Sequence, residues 1–184
     1  MKTFKVKDLM VPLSEYATVS EEATLYEAVL ALEKAQEDFD HTRYRHRAIL
    51  VYNKKGQVIG KISQLDVLRA LEPKYDELQS QDRLSRFGFS KKFMQSMLKH
   101  YELWSTPLVD ICRKAGEQKV RSHMHTPLEG EYVDDEAGLD EAIHQLVLGH
   151  HQSLLVTRGE EIVGILRLTD VFGAVFHTMK ACCE

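Results

Sequence analysis

Ser63 and Asp66 stand three residues apart just after a short apolar run, and Arg167 and Asp170 hold the same places further along the chain. An ionised aspartate only accepts hydrogen bonds, so Asp66 in the first turn of a helix can take both protons of a cis-diol. Ser63 can donate its hydroxyl to a phosphate or sugar oxygen, and free N–H groups at a helix start favour an anion. The same spacing also fits an N-terminal helix cap with an acidic residue in the first turn. At the second place Arg167 can grip a phosphate or fill its cleft by pairing with Asp170, and the sequence leaves both open. Arg43, Arg45 and Arg47, alternating with Tyr44 and His46, add cations ahead of the next apolar run.

Other chemistry finds little support. There are nine histidines, but a zinc site needs three or four convergent ligands. No cysteine or acidic residue is spaced to complete one around His123 and His125 or around His150 and His151. Cys112 lies near no evident base and is expected to pack on its helix. No nucleophile with a base, paired carboxylates or Gly-rich phosphate loop is present, so the chain does not read as an enzyme. A formal charge of −4 argues against binding nucleic acid. The composition, 43% apolar and 28% charged, is that of a globular protein. No apolar stretch is long enough for a membrane, and the odd, partly adjacent cysteines suit a reducing cytoplasm.

The chain contains one unit twice. Lys5, Val6, Met10, Glu22, Ala23, Leu25, Glu27, Ala28 and Leu32 recur 114 residues later as Lys119, Val120, Met124, Glu136, Ala137, Leu139, Glu141, Ala142 and Leu146. After a loop-length change, His46, Leu50 and Val51 recur as His151, Leu155 and Val156, and Gly60, Asp66 and Val67 as Gly164, Asp170 and Val171. Leu25, Ala28, Val29 and Leu32 form the stripe of an amphipathic helix, with Thr24 and Glu27 as its capping box. Ala48 to Tyr52, a turn at Asn53 to Gly56, and Val58 to Ser63 read as a hairpin, and a short helix follows. Each unit is thus strand, helix, strand, strand, helix, over residues 4–72 and 119–178. Residues 73–118 form an insertion of two helices, the first after Ser90 and the second capped by Thr106 ahead of Pro107. Phe93, Met97 and Trp104 give this insertion apolar surface.

The order of elements and the endings Gly60-Lys-Ile-Ser63-Gln-Leu-Asp66 and Gly164-Ile-Leu-Arg167-Leu-Thr-Asp170 resemble the cystathionine-beta-synthase (CBS) domain family. Two such units resemble a Bateman module. The resemblance implies an α/β (α+β) fold: a pseudo-symmetric pair of β-α-β-β-α units whose sheets face each other, with clefts that take AMP, ADP, ATP or S-adenosylmethionine, and a homodimer. It assigns Ser63, Asp66 and Arg47 to the first cleft and Arg167 and Asp170 to the second, with Thr18 and Tyr132 as possible wall residues. Arg47 lies three places before Leu50, where the family usually has proline; Leu155 fills that position in the second copy. The expected function is a sensor that passes its ligand state to an unidentified regulated protein or within a dimer. The alternative is an interaction scaffold of the same fold with its clefts closed by side chains.

Overall fold

The computed structural model describes residues 4–38, 45–75 and 90–183. The first copy runs α1 (Val6–Leu9), β1 (Val11–Pro12), a 3₁₀ turn (Leu13–Glu15), β2 (Thr18–Ser20), α2 (Leu25–Asp38), β3 (Ala48–Tyr52), β4 (Val58–Ser63) and α3 (Gln64–Ala70). The insertion contributes α4 (Lys91–His100) and α5 (Leu108–Gly116). After 3₁₀ turns at Val120–Ser122 and Glu129–Glu131 come β5 (Tyr132–Asp134), α6 (Leu139–Leu148), β6 (Ser153–Arg158), β7 (Glu161–Arg167) and α7 (Leu168–Cys183). The fold is α+β. No helix among the described residues is long and apolar enough to cross a membrane.

Local signals act as the residues dictate. Thr24 Oγ1 accepts the Glu27 N–H at 3.2 Å and Glu27 Oε2 accepts the Thr24 N–H at 2.7 Å, closing the capping box of α2. Ser90 caps α4 through the Phe93 N–H. At α5 the cap falls one residue later than expected: Pro107 occupies it in an extended conformation, and its carbonyl accepts from Asp110 and Ile111. The second closing helix is also not short, because α7 continues for 16 residues and carries Cys182 and Cys183 in its exposed last turn. Cys112, expected to pack on α5, is exposed. The insertion is anchored by Glu72, whose buried carboxylate accepts the Trp104 backbone N–H at 3.0 Å, and within it the Tyr75 hydroxyl accepts from the Trp104 indole at 3.0 Å.

Each copy builds its own three strands, β2-β3-β4 and β5-β6-β7, with the first pair parallel and the second antiparallel. The segment ahead of each copy crosses to the other. β1 adds antiparallel to β7, and His125 bridges Lys61 of β4. Val6 is buried in the second copy's core with Leu146, Leu154 and Val171, while Val120 is buried in the first copy's core with Leu25, Ile49 and Ile62. Between the sheets lies a third cluster, Val11, Tyr16, Leu50, Leu155 and Ile165.

Glycine is required where the crossed segments land. A Cβ on Gly164 would meet the Val11 carbonyl oxygen at 2.7 Å, and one on Gly60 would meet the Met124 sulfur at 2.7 Å. A thioether can swing aside; a strand carbonyl inside its ladder cannot. Gly164→Ala is therefore expected to destabilise the fold by roughly 1–3 kcal/mol and Gly60→Ala by less, measured by urea denaturation of each variant.

Candidate functional site

The extended segment leading into β3 alternates its side chains, so His46 turns inward and is buried while Arg45 and Arg47 face outward. The Arg47 carbonyl accepts the Gln64 N–H at 3.1 Å, which seats this segment against the start of α3. In the second copy the Gln152 carbonyl accepts the Leu168 N–H at 3.0 Å in the same way. Where these two corners approach, a cavity of about 560 Å³ opens between the copies. That volume is of the size that takes a small organic ligand. The first copy supplies Arg45, Arg47, Lys61, Ser63, Asp66 and Arg69 to its wall. The second supplies His125, Glu131, His150, His151 and Arg167, with Leu65, Leu128 and Leu168 as apolar surface from both.

Ser63 and Asp66 are bonded to each other. Asp66 Oδ2 accepts from the Ser63 N–H at 2.8 Å and the Ser63 hydroxyl at 2.6 Å, and Ser63 Oγ accepts the Asp66 N–H at 3.2 Å. The capping role anticipated as the competing reading is thus present, in a seven-residue helix. Among the described residues, Asp66 Oδ1 has only a long contact to Arg69, at 3.4 Å.

In the second copy Arg167 and Asp170 form a two-point pair, Nε to Oδ2 at 2.5 Å and Nη2 to Oδ1 at 2.6 Å. Arg167 is buried, and its Nη1 lies 3.4 Å from His46 Nδ1. Tyr16 meets the His46 ring edge-on, centroids 4.5 Å apart. Burial pushes the Tyr16 phenol well above its ordinary value, opposed by the nearby Arg167 charge. Arg167 is thus paired with its own carboxylate and also forms part of the cavity wall. Arg167 lines the cavity; Asp170 sits behind it.

Lys61 and Glu131 were not singled out from the sequence. Lys61 of β4 donates to Glu131 Oε2, and His125 Nε2 contacts Glu131 Oε1, joining the two copies under the cavity. The Glu131 side chain is 3% exposed and that of Lys61 15%. Burial opposes ionisation of Glu131, but the hydrogen bonds from Lys61 and His125 outweigh it and hold the carboxyl at about 2. The one available signal was a lysine inside an otherwise apolar strand.

Of the expected site residues, Ser63, Asp66, Arg47 and Arg167 come together on one cavity. Thr18 does not: it is exposed on the edge strand β2, paired in register with Leu50. Tyr132 packs against the cluster between the sheets. Arg43 and Tyr44 lie outside the described residues. Among the described residues, no group of three or more His, Cys, Asp or Glu side chains gathers to hold a metal ion.

A family model described as "CBS domain" matches residues 6–73 and 120–177. A comparison with curated proteins finds no significant match. Among solved structures, CBSX2 in complex with AMP is 17% identical, with a TM-score of 0.58 over 96% of this chain and 98% of that one. The CBS-domain containing protein ATU1752 from Agrobacterium tumefaciens is also 17% identical, with a TM-score of 0.58 over 95% of each chain. A CBS domain-containing protein from Bacillus anthracis is 18% identical, with a TM-score of 0.60 over 95% of this chain and 94% of that one.

The buried ion pair yields a test of what holds the copies together. Lys61→Met alone leaves the buried Glu131 carboxylate with His125 as its remaining side-chain partner and is expected to cost up to roughly 3–5 kcal/mol, most of it recovered in Lys61→Met with Glu131→Leu. Because the folded Glu131 value lies below the ordinary carboxylate value of 4.5, its contribution is complete above that pH and is lost as pH falls toward about 2. Glu131→Gln should flatten acid denaturation in that window. Glu136, held at about 2 by Lys5 and then Lys7, titrates there too but is exposed, so added salt removes its share and leaves that of Glu131.

Proposed function

This chain belongs to the CBS-domain family, and on that premise we propose that it is a regulatory module that holds an adenine nucleotide between its two copies. The observation that carries the reading is the cavity walled by both copies, with the Asp66 carboxylate for ribose hydroxyls, cations for phosphate, and leucines for the base. A protein of the same fold was solved in complex with AMP. The first copy's side of the cavity is the principal site, because Asp66 lines it and its Oδ1 has, among the described residues, one long contact to Arg69, while both Asp170 oxygens are taken by Arg167. Such a module acts by coupling binding free energies between sites.

The readout surface starts at the same place. α3 and α7 begin at the cavity rim, and they carry exposed Leu65 and Leu68 on one and Phe172, Phe176 and Met179 on the other. Leu68 and Phe172 are equivalent positions of the repeat. A second copy of the chain covering this face makes a homodimer whose contacts respond to the ligand. This face offers more apolar surface than Phe93 and Trp104 of the insertion, which are 39% and 37% exposed against 62% for Phe172.

A second reading has its own support: with Ser63 bonded to Asp66 and Arg167 to Asp170, the module also fits a scaffold whose polar groups are already satisfied. Thermal shift separates the two. AMP, ADP or ATP at about a hundred times its dissociation constant should stabilise the fold by roughly 2.7 kcal/mol. Asp66→Ala should abolish that shift while costing roughly 0.5–2 kcal/mol of stability through the lost cap. No shift with any nucleotide supports the scaffold.

For the dimer, light scattering on Phe172→Asp with Phe176→Asp should give the mass of one chain where the unaltered protein gives two. A wild-type mass of one chain at high micromolar concentration removes the dimer from the proposal.

A further inference from the structure

The cavity is far more basic than the chain that encloses it. The formal charge of the protein is −4, yet five cationic side chains face the cavity against two carboxylates. Three of the five have carboxylate partners: Lys61 with Glu131, Arg69 with Asp66, and Arg167 with Asp170. Arg45 and Arg47 differ. Both are exposed, and among the described residues neither forms an ion pair.

Exposed arginines are usually solvated and signify little. These two are held differently. His46 between them is 1% exposed, and both of its neighbours line the cavity. The Arg47 carbonyl is bonded to the Gln64 N–H at 3.1 Å, and β3 begins at the next residue, which fixes the segment. Two guanidinium-bearing positions two residues apart on a fixed backbone repel each other, and low-dielectric cavity walls concentrate their field. An anion placed between them removes that repulsion. A single phosphate can satisfy one planar guanidinium in two-point fashion; a chain of phosphates can satisfy both.

We infer that the site selects a polyphosphate, taking nucleoside di- and triphosphates in preference to monophosphates and rejecting a cationic adenosine ligand such as S-adenosylmethionine. The inference rests on the nucleotide reading above for its adenosine part; the polyphosphate part stands on Arg45 and Arg47 alone. The cost of meeting the wrong sign of charge falls on the sulfonium ligand, whose positive centre gains nothing from this field.

Calorimetric titration of the full chain with ATP, ADP, AMP, S-adenosylmethionine and inorganic triphosphate tests it. ATP should bind roughly tenfold or more tightly than AMP, with ADP between them and no heat from S-adenosylmethionine, as expected for one added charge-assisted contact. In Arg45→Gln with Arg47→Gln, exposed positions that should leave the melting temperature unchanged, ATP affinity should fall to that of AMP. Added salt should weaken ATP more than AMP. AMP binding as tightly as ATP, S-adenosylmethionine binding at comparable affinity, or an unchanged ATP preference in the double variant overturns the inference and leaves the nucleotide reading standing. Binding of inorganic triphosphate without any nucleotide supports the polyphosphate site and overturns the adenine reading. No binding by any of the five overturns both.

Discussion

Each copy of the repeat is completed by a piece of the other. Met10 lies across Gly164 and Met124 across Gly60, close enough that neither glycine can carry a side chain without displacing its neighbour. The segments that bring these methionines also deliver Val6 and Val120, both fully buried, to the opposite cores. Each valine contributes on the order of 2 kcal/mol of burial, which is lost if the copies part. Lys5 and Lys7 on Glu136, and Arg121 on Glu21, fasten the same two segments from outside. The distance between the two sheets is therefore set by the crossing, and so is the width of the cavity between them.

The two copies agree where packing decides and differ where the cavity does. Leu50 and Leu155, Val51 and Val156, and Ala28 and Ala142 are identical pairs in the cores. Around the cavity, Arg45 corresponds to His150, Arg47 to Gln152, Lys61 to Ile165, Ser63 to Arg167 and Ala17 to Glu131. A core position in either copy faces the same neighbours, so one residue suits both. A cavity position faces the other copy's side chains and any ligand, and pseudo-symmetry imposes nothing there. Where the first arrangement pairs Lys61 with Glu131, the corresponding residues Ile165 and Ala17 are both buried and apolar, and a charged side chain at either would need a partner to offset its burial.

This division explains what could be read from the sequence. The repeat, the stripe of Leu25, Ala28 and Leu32, the capping box at Thr24 and the hairpins follow from local periodicity and cap chemistry, and they appear as expected. The crossing does not, because two residues of β1 carry no pattern of their own. The Lys61 and Glu131 pair joins positions 70 residues apart, and Glu131 reads as one of several surface acids. The second closing helix reads as short, but α7 runs past the unit it closes and carries Phe172 and Phe176 exposed. Thr18 is a position that only the family resemblance assigns, and it is exposed on β2 without lining the cavity described above.

Ser63 and Asp66 show why a cap and a binding residue can be the same side chain. The capping bonds all fall on Asp66 Oδ2, which takes the Ser63 N–H and hydroxyl, while Oδ1 has one long contact among the described residues and the side chain, 16% exposed, lines the cavity. The cap fixes the carboxylate plane and therefore the direction of the second oxygen, so little rotational freedom is left for a ligand to remove. In the second copy the guanidinium of Arg167 takes both oxygens of Asp170, leaving the carboxylate without a free acceptor directed at the cavity. One substitution in a shared frame, a three-atom fork for a hydroxyl, thus separates a preorganised acceptor from a closed one.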